Sequence, residues 1–373
     1  MDFSLSEEQQ AAADLAARIF DDQLTSERFR AVDAEPDRFD RAVWSALAHA
    51  GLLGLSLPAA YGGAGLGFLE TALVLEQAGR AAAPVPLLAT VVLGALPVAR
   101  FGSPTQQAAV LPAVIAGELI LTAALIEPGG EPSRPLTTAR REGDAWRLDG
   151  AKTCVPAAPL AGRILVPADT GGGEVGVFVV DPATAGVTLT RLITTTRDPE
   201  GRLELDAVAV GADTLLGTPA DGAAIVEWIV THATAALCSE MAGLCRRVVT
   251  LTAEYTRGRE QFDRPIATFQ AVGQRAADAF VDAQAIELTA RQAAWRLSEG
   301  LEADDEVAIA KFWAAEAGQR VVHAAQHLHG GMGVDRDYPL HRYFLRAKQL
   351  ELSLGGATPQ LLRLGASIAR QSA

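Results

Sequence analysis

"RGREQFDRPIATFQAV", residues Arg257–Val272, separates two long apolar patterns, and its reading decides the fold. Before it, Leu237, Met241, Leu244, Val248, Leu251 and Tyr255 step by 4, 3, 4, 3 and 4 residues, which predicts a long helix with one continuous apolar face. After it, Phe269, Val272, Ala276 and Phe280, onward to Trp295, predict a second apolar face. Two further helices are expected over about Glu306–His329 and Leu340–Leu354, and a last one from Pro359. The quoted stretch is therefore a connection at a helix end. Arg259 and Phe262 lie three residues apart there, so a guanidinium and an aromatic face can point the same way. The arginine fork donates two parallel hydrogen bonds and suits a pyrophosphate. Taken alone, the pair also reads as a surface arginine beside a core phenylalanine.

Toward the N-terminus the pattern changes twice. Between about Leu119 and Leu216, short apolar runs such as "LILTAALIEP", "AWRLDGAKTCV", "VGVFVV" and "RLELDAVAV" alternate with turn residues, and predict antiparallel strands in a small sandwich or barrel. Residues 1–117 read as helical: Ser6-Glu7-Glu8 suits a helix start, and "GLLGLSLPAAYGGAGLG" (Gly51–Gly67) is a Gly/Pro connection. The expected class is α+β in three domains: helical over 1–117, an antiparallel β-domain over 118–217, and a helical bundle over 218–373.

Composition narrows the function classes. A hydrophobic share of 49% with 21% charged residues describes a globular chain. The formal charge of −13 argues against a nucleic-acid partner, whose phosphates need Lys and Arg. The longest apolar runs, such as "PVPLLATVVLGALPVA", are broken by Pro and Gly short of the roughly 20 residues of a membrane span. "MDFSLSEEQQ" carries acids where an export signal would carry Lys or Arg, so a cytoplasmic location is expected. Cys154, Cys238 and Cys245 read as small buried hydrophobes, and no metal-ligand set is read from the chain.

"HLHGGMGVDRDYPLHRY", His327–Tyr343, adds a second feature: Gly330 and Gly331 end a helix where a glycine lets the backbone turn and approach a ligand. A plain helix cap is the alternative for an isolated pair. Together with Arg257–Val272, Gly51–Gly67 and "ALIEPGG" (Ala124–Gly130), this segment resembles the acyl-CoA dehydrogenase family, in order and spacing, from about Phe3 to the end. The resemblance implies the family fold: a helical N-terminal domain, a middle β-domain and a C-terminal four-helix bundle, assembled as dimers or tetramers with FAD at subunit interfaces. It implies that Arg259, Phe262 and Gln270, with the loop of His327, Gly330 and Gly331, contact the nucleotide end of a neighbouring subunit's FAD. The family often has Gln where His327 stands; here Gln326 is adjacent.

Elsewhere the family pattern is broken. Ile126 precedes Glu127-Pro128 where the family has a flavin-bonding Thr, and "GGEPSR" follows where it has Gly-Ser-Asp. In "AKTCVPAA", Cys154 and Pro156 hold the places of an aromatic residue and a Thr that serve the isoalloxazine. The family's catalytic Glu falls at Leu354 or, slipped by one, at Gly355. In some relatives the base sits earlier, near Ala233 and His232; Glu351 lies about one turn before Leu354. The resemblance therefore implies the base-lacking subunit of a hetero-oligomeric, α2β2 acyl-CoA dehydrogenase. The partner would be a homologous subunit bearing the Glu, the substrate a bulky or steroid side-chain acyl-CoA, and the electron acceptor an electron-transfer flavoprotein. Two alternatives stay open: a homo-oligomeric flavoenzyme with another base or reaction, and a catalytically silent scaffolding homologue.

Overall fold

The structure, a computed structural model, describes residues 4–371; Phe3, where the resemblance begins, lies outside them. The chain divides into two compact units, one comprising residues up to Phe29, Gly67–Ala83 and Thr234 onward, the other Arg30–Leu66 and Pro84–Ala233.

The first unit is helical. It holds α1 (Glu7–Gln23), the start of α2 (Ser26–Ala34), α4 (Phe68–Ala81), and α7 (Gly222–Gly258) from Thr234 on. It continues with α8 (Gln270–Ser298), α9 (Asp304–His329), α10 (Leu340–Leu352) and α11 (Ala357–Gln371). Ser6 opens α1 with a capping box, its hydroxyl taking the Gln9 amide while the Gln9 side chain takes the Ser6 amide. Leu237, Met241, Leu244, Val248 and Leu251 are buried along α7, as the periodicity predicts; Tyr255 is half-buried. Glycines let α4 and α7 cross closely: a Cβ at Gly79 would stand 1.9 Å from the Glu240 carbonyl oxygen, and one at Gly243 would stand 1.7 Å from that of Glu76. Beside this crossing, Arg246 meets Glu76 at 2.7 Å and Arg291 meets Glu287 at 2.7 Å. Burial raises the pKa of Glu76 more than the two arginines lower it.

The second helix face differs from its expected register. Phe280 is 54% exposed, and the buried stripe of α8 runs through Ala279, Ala283, Ile286, Ala290 and Ala294. The buried stripe is mostly alanine, while the larger Phe280, Val281 and Leu288 are exposed, and α8 packs on α9 and α4. The helix expected to reach Leu354 ends at Leu352, because Leu354 takes φ +53 and Gly355 φ +94, left-handed conformations that no helix interior accommodates. Both α10 and α11 pack on α9. By length and composition α7 could cross a membrane, and 67% of its most apolar window is buried in the fold.

The second unit contains α3 (Arg41–His49), α5 (Leu96–Phe101), α6 (Pro104–Ile115) and a turn of π-helix over Leu88–Ala95. It also contains strands β1 (Leu121–Ala123), β2 (Thr138–Glu142), β3 (Ala145–Pro156) and β4 (Arg163–Gly171). Four more follow: β5 (Glu174–Val180), β6 (Val187–Leu192), β7 (Glu200–Gly211) and β8 (Leu215–Leu216). They form one sheet in the order β6-β7-β3-β2-β4-β5-β8, with β1 beside β4. The expected antiparallel pattern holds for most pairs, but β1 and β2 each pair parallel to β4. Long connections separate those partners in sequence, so no hairpin forces them antiparallel. Leu148, Val166, Phe178, Leu203 and Val208 are fully buried in the apolar core.

Candidate active site and nucleotide cradle

After α7 the chain makes a hairpin of β9 (Glu260–Gln261) and β10 (Arg264–Pro265). Gln261 pairs with Arg264, so Phe262 and Asp263 form a two-residue turn. Both have positive φ, +55 and +61, the geometry of a type I′ turn. The turn projects Phe262 outward, 86% exposed. Its ring meets Phe269 edge-on at 6.1 Å, and the Arg264 guanidinium lies 4.1 Å from the Phe269 centroid. Phe262 is thus not the core residue of the bland alternative. Arg259 is exposed at the hairpin base, its amide donating to the Tyr255 carbonyl and its own carbonyl accepting from Ile266, both at 2.8 Å. Gln270 is exposed at the first position of α8.

The other half comes from the end of α9. Gly330 takes φ +58 and ψ −134, which a side chain tolerates poorly. Gly331 has no positive φ, and a Cβ on it would meet nothing within 4 Å. This chain gives no steric reason for a glycine there. His327, Gly330 and Gly331 are exposed, and Gln326 is packed under the loop, close to Gly333. His327 and Gly330 line an open hollow of about 920 Å³ with Arg275 and Asp278. On its wall Arg320 grips Asp282 through two bonds, at 2.8 and 2.7 Å. This hollow escapes the sequence reading because α8 and α9 build it together.

A further group sequence reasoning missed ties these halves. Tyr255 stacks on His329 at 4.3 Å, its hydroxyl donates to the His329 carbonyl at 3.3 Å, and His329 Nε2 lies 3.0 Å from the Tyr338 hydroxyl. The one available signal is Tyr255 standing a helical turn before Arg259.

At the expected base position there is no acid. Leu354 and Gly355 follow the end of α10, and Glu351 on that helix is ion-paired to Lys348 at 2.6 Å. Lys311, buried in α9, donates to the Leu350 and Glu351 carbonyls at 2.5 and 3.3 Å; burial pushes its pKa down to about 8. Glu240 is held by Arg346 through bonds of 2.6 and 2.8 Å. In the other unit, His232 stacks on Trp228 with centroids 3.7 Å apart, and its Nδ1 donates to the Trp228 carbonyl. Burial pushes its pKa down to about 4.

The β-unit shows what Glu127 does. Its carboxylate accepts from the Thr137 amide at 3.0 Å, the Thr137 hydroxyl at 2.5 Å and the Leu136 amide, and pairs with Lys152 at 2.5 Å. Burial raises its pKa, but Lys152, Thr137 and Leu136 outweigh that and hold it below the usual carboxylate value. The buried Glu-Lys pair is a structural lock joining two quoted motifs. Next to it, the Ile126 carbonyl accepts from the Thr153 amide. Cys154 sits at a bulge of β3 with φ +49. Contrary to expectation Cys154 is exposed, because the bulge turns it out of the sheet; Cys238 and Cys245 are buried in α7.

The acyl-CoA dehydrogenase N-terminal domain matches residues 6–118, and the acyl-CoA dehydrogenase C-terminal domain matches 220–368. The chain is 44% identical to acyl-CoA dehydrogenase FadE27 of Mycobacterium tuberculosis over 381 aligned residues, covering 100% of both. It belongs to the acyl-CoA dehydrogenase family. Among solved structures, this dehydrogenase homologue matches a chain of the ChsE4-ChsE5 complex from Mycobacterium tuberculosis with a TM-score of 0.93 and 45% identity, over 99% of each chain. It matches a variant of the Tcur3481-Tcur3483 steroid ACAD at 0.92 and 43%, again over 99% of each.

The residues fit FAD unevenly. Arg259, Phe262, Gln270 and the His327–Gly331 loop are exposed within one unit and suit its nucleotide end. At the places that serve the flavin ring in the family, Ile126, Cys154 and Pro156 offer no side-chain hydroxyl.

Proposed function

We propose that this acyl-CoA dehydrogenase homologue is the subunit without a catalytic base in a hetero-oligomeric, FAD-dependent acyl-CoA dehydrogenase. The observation that carries the reading is Leu354-Gly355 at the base position, with Glu351 ion-paired to Lys348, in a chain whose Arg259 and Gly330–Gly331 elements remain open to a ligand. FAD, when bound, supplies the acceptor for the hydride from the substrate β-carbon. Arg259 would hold the pyrophosphate by its fork, and Phe262, Gln270 and the Gly330–Gly331 backbone would complete the site for the nucleotide end. The carboxylate that takes the proton alpha to the thioester comes from a homologous partner subunit. A positioned base contributes about 10²–10⁴-fold, so this chain alone is nearly inactive.

Likeness to a steroid ACAD supports a bulky or steroid side-chain acyl-CoA as substrate; a cytoplasmic location and an electron-transfer flavoprotein as acceptor are proposed from the acidic N-terminus and the family resemblance alone. The test is dye-linked dehydrogenation of acyl-CoA thioesters by the purified chain, alone and co-expressed with the product of its neighbouring reading frame. Turnover only in the pair is expected; full turnover by the lone chain overturns the reading.

A further inference from the structure

Gly330 and Gly331 stand exposed at the end of α9, and Met332 and Val334 beyond them are 40% and 69% exposed. Within the loop Gly333 is buried against Gln326. The two ends of the loop are joined by side chains. His329 is buried, and its Nδ1 lies 2.8 Å from the Ala325 carbonyl, which can only accept, so Nδ1 carries the proton. Burial lowers the pKa of His329, so the ring is neutral and Nε2 is an acceptor; the Tyr338 hydroxyl donates to it at 3.0 Å. Burial likewise raises the pKa of Tyr338, which keeps that donor protonated.

Tyr255 connects this closure to the other half of the site. It stacks on His329 with an interplanar angle of 23°, and its hydroxyl donates to the His329 carbonyl, on the peptide leading into Gly330. Its own carbonyl receives the Arg259 amide. That last bond is the backbone bond of the final turn of α7, so the Tyr255 side chain ties the glycine loop to the helix end that carries Arg259.

We infer that Tyr255, His329 and Tyr338 form a clasp that positions the Gly330–Gly331 backbone against Arg259 for nucleotide binding. These are positioning residues: His329 and Tyr338 close the loop, and Tyr255 sets its distance from Arg259. The inference rests on the nucleotide role proposed for the loop.

The test uses Tyr338→Phe, His329→Phe, the double variant and His329→Gln in the assembly that holds FAD. Two readouts are taken: FAD affinity by flavin fluorescence, and amide hydrogen exchange of residues 330–337 without added FAD. Each Phe variant is expected to weaken FAD binding roughly two- to tenfold and to speed exchange of the loop. His329→Phe also loses the Nδ1 bond to the Ala325 carbonyl, so the double variant is expected to be no worse than His329→Phe, where the bond to Tyr338 is already gone. His329→Gln keeps an acceptor and is expected to recover affinity. Unchanged affinity and exchange in Tyr338→Phe, or additive losses in the double variant, would overturn the clasp. A wild-type assembly that holds no FAD refutes the nucleotide site itself and the role of the clasp with it.

Discussion

The Glu127–Lys152 pair separates a structural acid from a catalytic one. Lys152→Met removes the ammonium and keeps the stem, leaving a carboxylate whose side chain is 3% exposed. Breaking a buried pair from one side costs about 3–5 kcal/mol. The Thr137 amide, the Thr137 hydroxyl and the Leu136 amide still reach the carboxylate, so the cost is set at the lower end, about 3 kcal/mol. Glu127→Gln strands the ammonium of Lys152, whose side chain is 1% exposed, and costs about as much. The double variant removes both charges and should recover at least about 2 kcal/mol of the summed loss. The pH dependence has a definite sign. Glu127 has a lowered pKa in the fold, so its contribution is complete above the unfolded value of about 4.3 and is lost as pH falls through the folded value. Lys152→Met therefore hurts more at pH 7 than at pH 4, where a proton can relieve the unpaired charge. Thermal and urea unfolding of the four proteins at both pH values measure this. Additive effects, or a Lys152→Met penalty under about 1 kcal/mol at pH 7, would refute the lock.

Three further outcomes are expected. His232, pushed down to about 4 by burial, binds its proton more readily when unfolded, so stability falls from about pH 6.5 toward 4 by about 3 kcal/mol. His232→Phe, which retains an aromatic ring against Trp228, should flatten melting temperature over that window. Gly331→Ala should change stability by no more than about 0.5 kcal/mol yet lower FAD affinity, whereas Gly330→Ala, at φ +58, should also cost about 1–3 kcal/mol in unfolding experiments. Asp263→Gly relieves a left-handed residue at the hairpin tip and should stabilise the protein by about 0.5–1 kcal/mol, read as a rise in melting temperature.

What the sequence made legible follows physical range. The α7 face, the Ser6 cap and the end of α9 at Gly330 are set by residues a few positions apart, and periodicity shows them. The α8 face does not follow its large residues, because its buried stripe is mostly alanine and Phe280 is left outside. The parallel pairings onto β4 join strands far apart in sequence, and no local turn announces them. Phe262 carries an ordinary hydrophobic label, and only the two positive φ values of the turn put it in solvent. The clasp joins residues 74 positions apart, from Tyr255 to His329, so neither motif shows it alone. The missing acid at Leu354-Gly355 is visible in the sequence, while the ion pair of Glu351 with Lys348 needs the side chains.

The division of labour between unlike subunits is tested most directly by counting flavin. In the purified pair, absorbance should give one FAD for every two chains, and Arg259→Ala in this chain should strip it while the same change in the partner's corresponding residue should not. One FAD per chain, or a full FAD complement retained by the Arg259→Ala assembly, would contradict the account.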